Sequence, residues 1–198
     1  MKFILSSPSL DDLIHLLKAW RFWILGALIG AALGAAFYYI VPPPYRACAV
    51  VNVDFNLEQA WPKDTDRQQF YYLERESRKL VEIAWSDDVL AQLNVPADEL
   101  RDGKLNLSQP AEAGWHFYAD DADPQKAEEL VSAWANAFVE SAQAEIASGN
   151  VNEFVKLEVT QSANLPKERS NPLANYLIAG ASGFLLLSVF FVLFLKSK

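Results

Sequence analysis

The 198-residue chain contains one cysteine, one methionine and two histidines. A single thiol, Cys48, cannot close an internal disulfide, so any folded domain must be held by its core alone. His15 precedes the first long apolar stretch and His116 follows it. One cysteine and two histidines so placed offer no zinc set and no Cys/His nucleophile pair. Basic residues are also scarce: 17 Lys and Arg against 25 Asp and Glu leave a net charge of −8. That balance disfavours nucleic acid as a partner. No Gly-x-x-x-x-Gly-Lys-Ser/Thr phosphate loop is present, and no motif points to a reaction class. Catalytic, cofactor and metal residues are therefore expected to be absent, and the protein is expected not to be an enzyme.

Apolar residues, by contrast, are abundant at 52%, while the mean hydropathy is only +0.03. They are concentrated in two windows, 22–41 and 173–195, which hold 35 of them and no Asp, Glu, Lys or Arg. The other 155 positions are 43% apolar, an ordinary value for a soluble domain. Each window is long enough to cross the roughly 30 Å hydrocarbon core as a helix. Aromatics border the first: Trp20, Phe22 and Trp23 at one end, Tyr38, Tyr39 and Tyr45 at the other. Its length, and the 21 residues before it, fit an uncleaved anchor better than a signal peptide. Residues 1–21 and 196–198 carry five Lys and Arg in 24 positions; residues 42–172 carry twelve in 131, with 23 of the acids. The positive-inside rule then puts both termini in the cytoplasm and the acidic middle outside.

Five segments are expected: a cytoplasmic amphipathic helix (1–21), a transmembrane helix (22–41), an extracytoplasmic α+β domain (42–172), a second transmembrane helix (173–195) and a short tail (196–198). Ser9 suits the N-cap of the first helix, and Leu10, Leu13, Ile14 and Leu17 share one of its faces. Pro42, Pro43 and Pro44 close the first span. In the outer domain, 46–55 alternates Ala49, Val51, Val53 and Phe55 against Val50, Asn52 and Asp54, the period of a half-buried strand. A helix is predicted over 66–85, with Phe70, Leu73, Leu80, Ile83 and Ala84 at helical spacing. A short helix, 87–93, follows the Ser86 cap, then strands at 104–107 and 115–119. Asp123 as N-cap and Pro124 at the first helical position open a helix burying Ala127, Leu130, Val131, Trp134, Phe138 and Ala142 and ending at Gly149. A last strand is predicted over 152–160, and Pro166 and Pro172 punctuate the approach to the second span.

This order of pieces resembles the polysaccharide co-polymerase family, the Wzz-type chain-length determinants. The resembling residues are Asp12-Leu13-Ile14 and Trp20-Arg21 before the span, and Pro44-Tyr45-Arg46-Ala47 after it. Trp85-Ser86-Asp87-Asp88-Val89-Leu90, Asp123-Pro124-Gln125-Lys126-Ala127 with Trp134 to Phe138, and Ala163-Asn164-Leu165-Pro166 with Pro172 complete the set. The outer segment is short for O-antigen members and closer to capsule-type members. No kinase domain follows, and a separate tyrosine kinase, which some members meet, would find only residues 196–198. The resemblance implies a homo-oligomeric ring in the bacterial cytoplasmic membrane. With a membrane polymerase and its growing glycan, the ring would set the length of an O-antigen, capsule or exopolysaccharide. The alternatives from other classes are an accessory subunit of another membrane complex and a sensor ectodomain.

Three features invite sharper readings. Gly26, Gly30 and Gly34 at four-residue spacing form one helix stripe on which another helix can pack closely. The partner is either another protomer or the second span, where Gly180 and Gly183 lie in a small-residue surface. Asp120, Asp121 and Asp123 lack the alternation, glycine turn and distal glutamate of a calcium loop, and capping accounts for Asp123. Of Trp61, Trp85, Trp115 and Trp134, the last lies on an apolar helix face, while Trp61 is the best exposed candidate for stacking on a sugar.

Overall fold

The computed structural model describes residues 14, 17–60, 66–93, 95–109 and 114–196. The chain divides into two compact units: Met1–Pro43 with Asn171–Lys198, and Pro44–Ser170. Most of the amphipathic segment 1–21, including His15, and also Trp61, lie outside the described residues.

The first unit is a pair of apolar helices, α1 (Trp20–Ile40) and α7 (Leu173–Lys196), both long and apolar enough to cross a membrane. Their outward faces stay apolar, with Phe22, Leu28, Phe37, Leu186 and Phe190 all exposed. Pro172 stands immediately before α7, and its carbonyl accepts from Asn175 N–H at 3.0 Å. At that end of the pair, Tyr176 stacks on Phe37 (6.1 Å) and meets Tyr38 edge-on (5.4 Å).

The second unit is α+β. Its elements run β1 (Tyr45–Asp54), α2 (Leu57–Ala60), α3 (Asp66–Ala84), α4 (Asp87–Ala91), α5 (Ala97–Glu99), β2 (Leu105–Ser108), β3 (Trp115–Asp121), α6 (Pro124–Ala147) and β4 (Lys156–Gln161). The four strands form one antiparallel sheet in the order β2-β3-β1-β4. One sheet face is covered by α6. Ala47, Ala49 and Val51 of β1 and Trp115, Phe117 and Ala119 of β3 bury there with Ala127, Val131, Trp134 and Phe138 of α6. Asp123 caps α6 as the sequence implies, accepting from Gln125 N–H at 2.9 Å with Pro124 behind it, and Gly149 takes φ +81° just past the end. Ser86 caps α4 by accepting from Val89 N–H.

Several sequence expectations need correction. Alternation puts Val50 on the polar side of β1, but it is 8% exposed. The pairing with β4 shifts register between Val50 and Val51, and Gly114 lies so near the Val50 side chain that a Cβ there would stand 3.1 Å from it, so Val50 is covered. In α3 the buried stripe is Tyr72, Glu76, Leu80 and Ala84, whereas Phe70 is 62% exposed. A charged residue occupies the inward line, which the apolar periodicity could not anticipate. The last strand starts at Lys156 rather than 152, because Asn152 is held in a turn: its side chain accepts from Phe154 N–H and its carbonyl from Val155 N–H. The short α2 and α5 had no expectation attached.

The two ends of this unit are tied side by side. Ser170 N–H donates to Pro44 C=O at 2.9 Å, Tyr45 bridges antiparallel to Arg169, and the Arg169 guanidinium lies 4.8 Å over the Tyr45 ring. Pro166, half-buried, lies in the segment that leads from β4 back to this stem.

Candidate functional site

Three arrangements hold the residues that sequence or structure singles out. The first is the glycine stripe of α1. A Cβ at Gly30 would strike Gly180 C=O and, at 2.6 Å, the Phe184 Cβ; one at Gly34 would strike Tyr176 C=O; one at Gly26 would strike the Ser188 side chain. All three glycines therefore face α7 of the same chain. The facing line is Tyr176, Gly180, Phe184 and Ser188, again at four-residue spacing. Gly183, offered beside Gly180 as part of that surface, points elsewhere, with nothing within 4 Å of its added Cβ. Gly183 directly precedes Phe184, the next residue on the contact line, and so lies about 100° around the helix from it. Ser188 returns its hydroxyl to Phe184 C=O at 2.8 Å, so it brings no unmet donor to the contact.

The second is a buried carboxylate. Glu76 has no exposed surface and accepts from Arg75 Nε (2.7 Å), from Lys79 Nζ (3.2 Å to each oxygen) and from Asn152 N–H (3.1 Å). Lys79 also donates to Asn150 C=O at 2.6 Å, so α3 clasps the turn after α6. Burial disfavours the charge, but the bonds from Asn152, Arg75 and Lys79 outweigh it and hold the carboxyl below its ordinary pKa. A group depressed on folding stabilises above its unfolded value of about 4.3, and that contribution is lost as pH falls through the folded value. Glu76→Gln turns an amide N–H₂ toward three donors and is expected to cost about 1.5–3 kcal/mol at pH 7. Urea midpoints for the two proteins should converge in acid. A constant gap down to about pH 3, below the unfolded carboxyl value, would contradict the assignment.

The third lies on the sheet face opposite α6. Residues of even number project there: Arg46 and Cys48 from β1, His116, Tyr118 and Asp120 from β3. Arg46 makes a two-pronged pair with Asp120, at 2.8 and 2.7 Å, and its guanidinium lies 5.8 Å over the Tyr118 ring. The bond to Asp120 raises the Arg46 pKa further. Cys48 Sγ lies 3.9 Å from His116 Nδ1, and Tyr118 Oη lies 3.2 Å from the same nitrogen. Burial pushes the Cys48 thiol and the Tyr118 phenol up, so both stay protonated at neutral pH.

This pairing gives Cys48 a histidine neighbour that the sequence alone does not reveal. The two residues are 68 positions apart, and only the β1/β3 register joins them. The clustered acids are each engaged within the fold. Asp120 pairs with Arg46, Asp121 accepts from Asp123 N–H at 2.9 Å, and Asp123 caps α6.

No protein-family model and no curated protein matches the chain.

The tryptophans divide between core and rim. Trp134 is fully buried, donates Nε1–H to Ala84 C=O at 2.8 Å, and meets Phe117 edge-on at 4.7 Å. Trp115 stacks on Phe138 at 5.8 Å, and half-buried Trp85 leans on Trp134 at 5.0 Å. Trp115 and Trp134 are thus core residues and offer no platform for a sugar.

Proposed function

We propose that α1 and α7 span the bacterial cytoplasmic membrane with both termini inside, and that the Pro44–Ser170 unit assembles outside it into a homo-oligomeric ring. With a membrane polymerase, the ring sets the chain length of a surface polysaccharide. The observation that carries this reading is the closed stem of the outer unit. Pro44 and Tyr45 are hydrogen-bonded and bridged to Ser170 and Arg169, so the two ends of the folded unit close on each other in a single two-stranded neck. Such a neck suits a scaffold that stands on two spans. The charge asymmetry between the ends and the middle supports the orientation. The role is physical rather than chemical: the acidic walls and geometry of the ring govern how long a growing glycan stays engaged.

Deleting the gene and sizing the surface polysaccharide tests this directly. A shifted or broadened length distribution is expected, together with a large homo-oligomer on native extraction. An unaltered distribution defeats the chain-length role. Recovery in a stoichiometric complex with a different protein would favour the accessory-subunit reading.

A further inference from the structure

The sheet of the outer unit ends on two open strands. In the order β2-β3-β1-β4, neither β2 nor β4 pairs on its outer side among the described residues. Such edges present backbone N–H and C=O groups ready to pair with another strand. The two edges also face alike. Leu105 and Leu107 of β2 lie on the α6 side, opposite Ala119 and Phe117, and Leu157 and Val159 of β4 lie on that side, opposite Val53 and Val51. Leu107, Leu157 and Val159 are only half-buried, so the core layer stops short at both margins. Neither strand contains proline. Beside β4, Gln143 and Ile146 of α6 border an open groove of about 460 Å³ with Val155 and Leu157.

We infer that β4 of one protomer pairs antiparallel with β2 of the next, so that the sheets of successive copies join edge to edge. The inference deepens the ring reading and rests on its two spans. Copies inserted in one membrane turn their necks to the same side. The neck lies at the start of β1, so β1 runs the same way in every copy. All pairings in the sheet are antiparallel, so β4 runs opposite to β1 while β2 runs with it. A β4 beside a neighbour's β2 therefore continues the alternation, whereas β4 beside β4 would be parallel. That parallel pairing, about a two-fold along the strands, also sets Lys156 against Lys156 and Glu158 against Glu158. Like charges directly opposite one another destabilise. The head-to-tail contact leaves no edge open in any copy, and such contacts generate a ring when the rotation closes.

Face and charge fix the register. With β2 lying wholly alongside β4, both of its leucines meet apolar residues in one arrangement only: Leu105 on the neighbour's Val159 and Leu107 on its Leu157. Asn106 then faces Glu158, to which its amide donates, and Ser108 faces Lys156. Lys104 stands diagonal to Glu158, within reach of a long side chain. Its exposed pair with Glu99, at 2.9 Å, costs little to share. No like charges oppose one another. The groove beside β4 receives the Leu107 side chain.

The test uses the full-length protein in native membranes, in a Cys48→Ser background. Ser108→Cys and Lys156→Cys together, treated with a short bifunctional thiol reagent, are expected to give a ladder extending beyond the dimer. Within one chain these positions stand three strand spacings apart, roughly 14 Å, too far for the reagent. Neither cysteine alone should cross-link. Dimers from Lys156→Cys alone would mean that β4 meets β4, which overturns the inference. Asn106→Asp, set against Glu158, should cut the ladder by up to about fivefold, and adding Glu158→Lys should restore it. Both positions are exposed, and circular dichroism checks the fold. A ladder indifferent to these charges overturns the contact. So does the absence of a ladder from a protein that native extraction still shows to be a homo-oligomer, an outcome that leaves the ring standing. Recovery as a monomer removes both. An unaltered polysaccharide length distribution beside a full ladder defeats the chain-length role alone.

Discussion

Trp134→Ala is expected to destabilise the Pro44–Ser170 unit by about 3–5 kcal/mol, the usual cost of emptying a large aromatic site. Trp134 is fully buried at the junction of α6, β3 and the end of α3, and its ring touches both Phe117 and Trp85. Removal opens a cavity between layers that cannot all collapse toward it. It also leaves Ala84 C=O without the indole N–H that meets it at 2.8 Å. Native domains hold only about 5–15 kcal/mol in total, so this one change removes a large fraction. Trp134→Phe separates the two contributions: it keeps most of the ring and loses the hydrogen bond, at a cost of about 1–3 kcal/mol. Urea unfolding followed by circular dichroism measures both. A loss below about 1 kcal/mol for the alanine variant, far under the range for a buried aromatic, would mean that the core does not centre on this residue.

The second large effect is expected in the apolar helix pair. Gly30→Ile places a branched side chain where Gly180 C=O and the Phe184 Cβ already stand, and no rotamer avoids a backbone carbonyl. The helices must separate or slide, giving up the close van der Waals contact along the stripe. Gly183→Ile, with open space around its Cβ, is the matched control. A cysteine pair replacing Phe37 and Tyr176, which stack at 6.1 Å, reports the contact in a Cys48→Ser background. Cross-linking within the chain is expected in the parent and in Gly183→Ile, and is expected to be lost in Gly30→Ile. Equal cross-linking in all three would show that the stripe does not seat α7.

What is legible in the sequence follows periodicity and caps. The strand at 115–119 and the helix opened by Asp123 and Pro124 can be placed because alternation and capping are local signals. The inward line of α3 escapes periodicity because it includes Glu76, and a buried ion cluster reads in sequence as surface. The partners that make burial tolerable, Lys79 apart, are a neighbouring arginine and a backbone N–H at Asn152, 76 residues away. The Cys48–His116 pair is hidden for a related reason. Both strands are recognisable, but which even-numbered residues stand opposite one another depends on register, and register is fixed by the whole sheet. One signal is available: His116, Tyr118 and Asp120 alternate with Trp115, Phe117 and Ala119. Three polar residues on one strand face imply a polar surface, though not its partner across the ladder.

The strand order carries a consequence for how the molecule comes into being. β1 is the first strand to emerge during synthesis, yet it occupies an interior position, flanked by β3 and β4. Its partner residues lie about 70 and 106 positions later in the chain. At about 5–20 residues per second, several seconds to tens of seconds separate the appearance of β1 from that of the strand that covers its second edge. Throughout that interval Val50 to Asp54 present unsatisfied backbone to whatever is nearby, including the same segment of a sister chain on a neighbouring ribosome. The sheet closes only when β4 arrives, a dozen residues before α7 begins. The final stretch of translation thus decides both the completion of the sheet and the covering of the second edge of β1.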